Sequence, residues 1–110
     1  MGSPMPITLL PPRTHFGQAV KSRDLNGLAV RVGAHEPGED VPAHQHADEH
    51  QWSLVLAGGF EEIVGGRSAG CSVGSFLVRP ADCVHADRFG GGRTVCLGLF
   101  PSALAVVARV

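Results

Sequence analysis

The chain has 110 residues, 44% of them hydrophobic, and a formal net charge of −1. That length accommodates one domain. The charge balance offers no basic stripe, which argues against autonomous nucleic-acid binding, and no apolar run is long enough to span a membrane.

Residues 1–12 are proline-rich and are expected to form an N-terminal arm, with the domain proper over 13–110. Such arms often cover a sheet edge or a partner subunit. The arm has neither the basic start nor the apolar stretch of a signal peptide. Three scattered cysteines, Cys71, Cys83 and Cys96, form no C-x-x-C pair, so reduced thiols and a cytoplasmic location are expected. Fifteen Gly and eight Pro punctuate the remainder into short segments, which favours strands over helices.

In chain order, residues 28–33 alternate loosely and predict a strand. A turn follows at 36–39, and a second strand runs over 41–46. Residues 47–49 are polar and short; Asp48 and Glu49 read as solvated loop carboxylates. Residues 51–57 give the clearest strand, with Trp52, Leu54 and Leu56 on one face and Gln51, Ser53 and Val55 on the other. Gly58-Gly59 predicts a turn into a returning strand over 60–64, and Gly65-Gly66 turns again. Two further strands are expected over 67–73 and 75–79, a loop over 80–84, a strand over 85–89, a hairpin tip at 90–92 and a closing strand over 94–100. Residues 104–110 are open between strand and helix. Many short strands separated by turns imply an all-β sandwich or barrel.

Two clusters carry the chemistry. The first is Pro42, His44 and His46, followed by His50 and Gln51; the second is Gly74, Pro80, Asp82 and His85. Residues two apart on a strand share a face, so His44 and His46 can aim two imidazoles at one point. Imidazole nitrogen suits zinc, copper, iron or nickel, and His85 supplies a third donor if the fold brings it alongside. His15 and His35 match neither cluster and read as surface residues. Asp87-Arg88 reads as a solvated pair.

The spacing Pro42-x-His44-x-His46 with Gly58, then Gly74-x5-Pro80-x-Asp82-x2-His85, resembles the two cupin motifs, although cupins usually have Gly where this chain has Asp82. The resemblance covers about half the chain and implies a double-stranded β-helix, or jelly-roll barrel, with His44, His46 and His85 around one cavity. Residues 53–62, 79–81 and 85–90 are further similar to the N-terminal sensor cupins of AraC-type transcription regulators. In those regulators helix-turn-helix units follow the cupin; this chain is expected to be a stand-alone relative of the sensor half.

The position that is usually Glu in the first cupin motif falls on Gln51 in one register and on His50 in another. Adjacent strand residues face opposite ways, so the two readings are distinct. Donor strength favours His50. Parity points the same way: with His50 inward, Trp52, Leu54 and Leu56 would line an apolar cavity, whereas with Gln51 inward that stripe would face outward and need a covering partner. The expected metal set is therefore His44, His46, His50 and His85 around a divalent transition ion (Zn, Ni, Fe, Cu or Mn). Gln51, Trp52, Cys83 and Asp87 are candidate pocket residues, with Cys83 a possible sulfur ligand.

No dedicated general base is evident. The sequence therefore points first to a metal-binding module that holds or senses a small molecule, as a homodimer. The alternative is a metal-dependent dioxygenase or isomerase acting on a small polar or anionic substrate.

Overall fold

The computed structural model describes residues 7–11 and 14–101. Among these residues, ten strands form two five-stranded sheets. They are β1 (Thr8–Leu10), β2 (Gln18–Leu25), β3 (Leu28–His35), β4 (Asp40–His46), β5 (Gln51–Ala57), β6 (Gly59–Val64), β7 (Arg67–Ser72), β8 (Phe76–Arg79), β9 (His85–Phe89) and β10 (Thr94–Pro101). One sheet has the order β1-β4-β9-β6-β7 and the other β2-β3-β10-β5-β8. From β3 onward the chain changes sheet at every connection except the β6–β7 hairpin, which is the winding of a jelly roll.

Two tight hairpins carry two-residue turns whose residues both have positive φ. Asn26 (51°) and Gly27 (94°) join β2 to β3; Gly65 (56°) and Gly66 (76°) join β6 to β7. This is the geometry that matches strand twist.

Gly58-Gly59 does not make a hairpin. It carries the chain from β5 in one sheet to β6 in the other, and the stretch at 90–92 likewise joins β9 to β10 across sheets. Gly58 has φ +74°, and a Cβ there would stand 2.5 Å from the Arg93 carbonyl oxygen and 2.8 Å from the Thr94 Cα. Thr94 is wholly buried; its hydroxyl accepts from the Gly59 N–H and donates to the Gly59 carbonyl, both at 3.1 Å. The corner therefore needs a residue with no side chain.

The arm contributes β1, which pairs in parallel with β4 and covers that edge within the same chain. β2, an edge strand of the other sheet, is exposed along its length. Residues 104–110 lie outside the described residues.

Inside, the barrel is layered. Val41, Val55, Phe60, Cys71 and Phe89 form an apolar cluster with Phe16, Leu77 and Cys96 against it. Alternate residues of β9 carry the chain inward from Phe89 through Asp87 to His85, all three buried. On β5 the inward residues are Gln51, Ser53 and Val55. Trp52 and Leu54 pair with Val78 and Phe76 on the outer face, where Leu56, Phe76 and Val78 are 45%, 61% and 62% exposed. The apolar stripe of β5 thus faces away from the cavity, opposite to the parity expected above. The barrel wall here carries its apolar stripe outward, while of its inward residues Gln51 and Ser53 are polar and Val55 joins the apolar cluster.

Replacing Gly58 by Ala combines an unfavourable φ with backbone overlap, and is expected to destabilise the fold by about 2 kcal/mol or more. A chemical-denaturation midpoint unchanged from wild type would show that the corner can relax.

Candidate metal centre

The candidate site starts from strand register. His44 on β4 sits directly opposite His85 on β9. The β4–β9 ladder shifts register between Val41 and His44, so Val41 can fill the apolar layer while His44, three residues on, also points inward. His46 follows on the same face. The three are 3%, 5% and 2% exposed for His44, His46 and His85. One donor atom from each lies within 4.8 Å of the others. His44 Nε2 and His85 Nε2 are 2.8 Å apart.

The loop before β9 is tied to the end of β4. The Asp82 N–H donates to the His46 carbonyl at 3.1 Å, and the Ala81 N–H donates to His50 Nδ1 at 2.9 Å. Asp82, with φ 65°, takes the left-handed conformation at the position cupins usually give to Gly. This loop sets where β9 begins, and hence where His85 meets His44.

Burial holds the imidazoles neutral. It pushes His85 down to about 2 and His46 to about 4, helped in His85 by Arg79, His44 and His46 and in His46 by His44 and Arg79. His44 is also lowered by burial, against an opposing hydrogen bond from its Nδ1 to the Pro42 carbonyl at 2.8 Å. That bond keeps the proton on Nδ1, donated to the carbonyl, and leaves the lone pair on Nε2, which is turned towards His85.

A transition ion fits this donor set. Nε2 of His44 and Nε2 of His85 face each other, and Nδ1 of His46 is buried without a hydrogen-bond partner among the described residues. Two nitrogens on one tetrahedral ion at about 2.0–2.1 Å stand roughly 3.3 Å apart; His44 Nε2 and His85 Nε2, 2.8 Å apart, would separate by about half an ångström to hold it. Neutral imidazoles suit Zn, Ni, Fe and Cu alike and suit the harder Mn less well.

Of the other expected site residues, Gln51 and Asp87 line the same cavity, of about 50 Å³, together with His15, Phe16, Arg31 and His35. Gln51 donates to the Ser53 hydroxyl at 3.4 Å, and its carbonyl oxygen is buried without a partner. His50 is not in the cluster: it faces the 80–84 loop as an acceptor for Ala81. Trp52 lies on the outer face of its sheet, and Cys83 makes only a weak contact with the Val84 carbonyl at 4.0 Å. Neither lines the cavity. The imidazole of His50 has the stronger donor, but strand parity gives the inward position to Gln51.

Several residues depart from the surface roles expected of them. His15 lines the cavity, its ring 5.1 Å from that of His46 and 4.1 Å from Phe100; burial first, then His46, Arg31 and His44, lower it to about 3. His35 stacks on Phe89 with ring centres 3.9 Å apart and is hydrogen-bonded to Glu39. Glu49 is 4% exposed rather than solvated. Asp87 is buried and faces Arg79 at 3.6 Å rather than pairing with Arg88, while Arg79 also pairs with Glu62. Burial raises the Asp87 carboxyl to about 6, against the pull of Arg79.

With this geometry in view, comparison with solved structures is informative. The barrel superposes on the cupin domain of Schizosaccharomyces pombe Cnp3 with a TM-score of 0.70 at 13% identity, covering 81% of this chain and 67% of that one. The fold is that of a cupin. KdgF from Halomonas sp. gives a TM-score of 0.69 at 23% identity, over 80% of this chain and 86% of that one. The DMSP lyase DddQ from Ruegeria pomeroyi DSS-3 gives 0.65 at 25% identity, over 73% of this chain and 41% of that one. No protein-family model and no curated protein matches the sequence. Among the described residues no helix is long and apolar enough to cross a membrane.

The lowered pKa values set a pH dependence for the metal-free protein. Histidines whose folded pKa lies below the unfolded value stabilise fully above about 6.5 and progressively less as the pH falls towards their folded values. Chelator-treated protein should therefore melt at lower temperature at pH 5 than at pH 7.5. Equal melting temperatures would mean that the imidazoles can be protonated in place.

Proposed function

We propose that this chain is a metal-binding cupin in which His44, His46 and His85 hold a divalent transition ion and a small molecule occupies the coordination positions they leave. The observation that carries this reading is the convergence of three buried, neutral imidazoles from two distant parts of the chain. The ion supplies Lewis acidity and an open position. The chain's own residues orient and enclose: the Pro42 carbonyl fixes the His44 tautomer, Gln51 presents an amide oxygen, and Asp87 presents a carboxyl on the cavity wall. Three neutral ligands leave the charge of a divalent ion uncompensated, which favours anionic ligands.

In this reading the chain binds or senses its ligand without turning it over, in the manner of the sensor cupins of AraC-type regulators, and works in the cytoplasm. A second reading, a metal-dependent enzyme acting on a small polar or anionic substrate as a dioxygenase or isomerase, has Asp87 in its favour. Its carboxyl, raised to about 6, is suited to proton transfer near neutral pH. That the similar structures include a DMSP lyase keeps enzymatic chemistry in play. Turnover of a candidate substrate, or oxygen uptake on its addition, separates the two.

For a protein partner we propose a second copy of the chain. Trp52, Leu54, Leu56, Phe76 and Val78 make one apolar outer sheet face, and a face of this kind can pair with itself about a two-fold axis. Sedimentation at micromolar concentration should give a dimer that Val78→Lys dissociates; a wild-type monomer would contradict it.

Protein purified without an affinity tag and loaded with metal should carry about one ion per chain. The double substitution His44→Ala and His46→Ala should remove at least 90% of it while β-sheet circular dichroism is preserved. A folded double variant that keeps its metal would refute the site.

A further inference from the structure

Among the described residues two guanidinium groups line the barrel cavities, and one of them is neutralised. Arg79 sits between Glu62 and Asp87. Arg31, on β3, points into the barrel opposite Gly98 and has no carboxylate within ion-pair distance among the described residues. Its one hydrogen bond runs from Nη2 to the Phe16 carbonyl at 3.3 Å. That leaves most of its five N–H donors without a protein partner among the described residues, on a half-buried side chain whose pKa burial lowers.

The position of Arg31 is built rather than incidental. Its guanidinium lies over Gly33, two residues along the same strand: a Cβ at Gly33 would stand 2.5 Å from Arg31 Nη1. Arg31 lines the cavity of the three imidazoles and also an adjoining one of about 60 Å³ that reaches Ser53 and Arg79. Gln51, Asp87 and Phe100 line both cavities, so Arg31 stands where the two compartments meet.

We propose that Arg31 is the anchor for the carboxylate of the ligand, and that the ligand is a short hydroxy- or keto-acid. Its carboxylate takes the free N–H groups of Arg31, and its second oxygen faces His44, His46 and His85. This rests on the metal-binding reading above and adds a ligand class to it. Three features carry the assignment. A planar guanidinium matches a carboxylate in two parallel hydrogen bonds. An uncompensated cation beside a cationic metal centre calls for an anion. The small compartments limit the ligand to a few heavy atoms.

The test is calorimetric titration of the metal-loaded protein with glycolate and with glycolamide, which keeps the skeleton and loses the charge. Metal content is measured on every sample. Wild type should bind glycolate at least tenfold more tightly than glycolamide. Arg31→Met should weaken glycolate at least tenfold and leave glycolamide and metal content unchanged. Arg31→Lys should recover part of the loss.

Gly33→Ala retains the charge but displaces the guanidinium. It should weaken glycolate severalfold, and it decides the matter if Arg31→Met fails to fold. Undiminished glycolate binding by folded, metal-loaded Arg31→Met or Gly33→Ala would overturn the assignment while leaving the metal centre intact. Wild-type protein that takes up no metal would overturn the metal reading, and this one with it.

Discussion

The cross-strand pairing of His44 with His85 is the contact on which the site depends. The two residues are 41 apart in sequence and directly opposite in the β4–β9 ladder. A one-residue slip of that ladder would turn one of the two rings out of the barrel, because side chains alternate across a strand. The register is held from both ends. At one end, the Phe89 N–H donates to the Glu39 carbonyl at 2.9 Å, while the Phe89 ring packs in the apolar layer on Phe60 of β6, with ring centres 5.1 Å apart. At the other, the 80–84 loop hangs from the His46 carbonyl and from His50. The apolar layer thus works as a clamp for a polar one.

That polar layer has a cost. Neutral imidazoles, Gln51, Asp87 and two arginines occupy space that a purely structural barrel would fill with aliphatic side chains, and several of their atoms lack partners among the described residues. Buried polar groups without partners lower stability. Their concentration at one end of the barrel, against a compact apolar cluster at the other, is the division expected when one part of a fold maintains shape and another meets a ligand. Arg79 with Glu62 and Asp87 shows how the fold manages such charges when no ligand is needed: it pairs them internally. Arg31 is the exception.

Much of this was legible in the sequence. Strand alternation put His44 and His46 on one face, and the Gly74–Pro80–His85 spacing implied that a third imidazole would join them. Strands 51–57 and 85–89 fall where alternation placed them. β2 escaped because Gln18–Leu25 is mostly polar and wholly exposed, so no apolar period marks it; the Asn26-Gly27 pair that ends it was the available signal. Donor strength and an apolar inner face both favour His50 over Gln51 in the sequence, and the parity of β5 overrides both. In this barrel the inner side of β5 is the polar one at the ligand end, and its apolar stripe lies outside. His15 and Arg31 carry no local pattern. Both reach the site only through β2 and β3 closing over it, a tertiary event that spacing does not encode.

Anomalous diffraction from crystals of the metal-loaded protein tests the central geometry most directly. A single strong peak with one nitrogen each of His44, His46 and His85 at about 2.0–2.2 Å is the expected result. A peak ligated by His50, or an ion on the exterior with the three rings turned apart, would contradict the account.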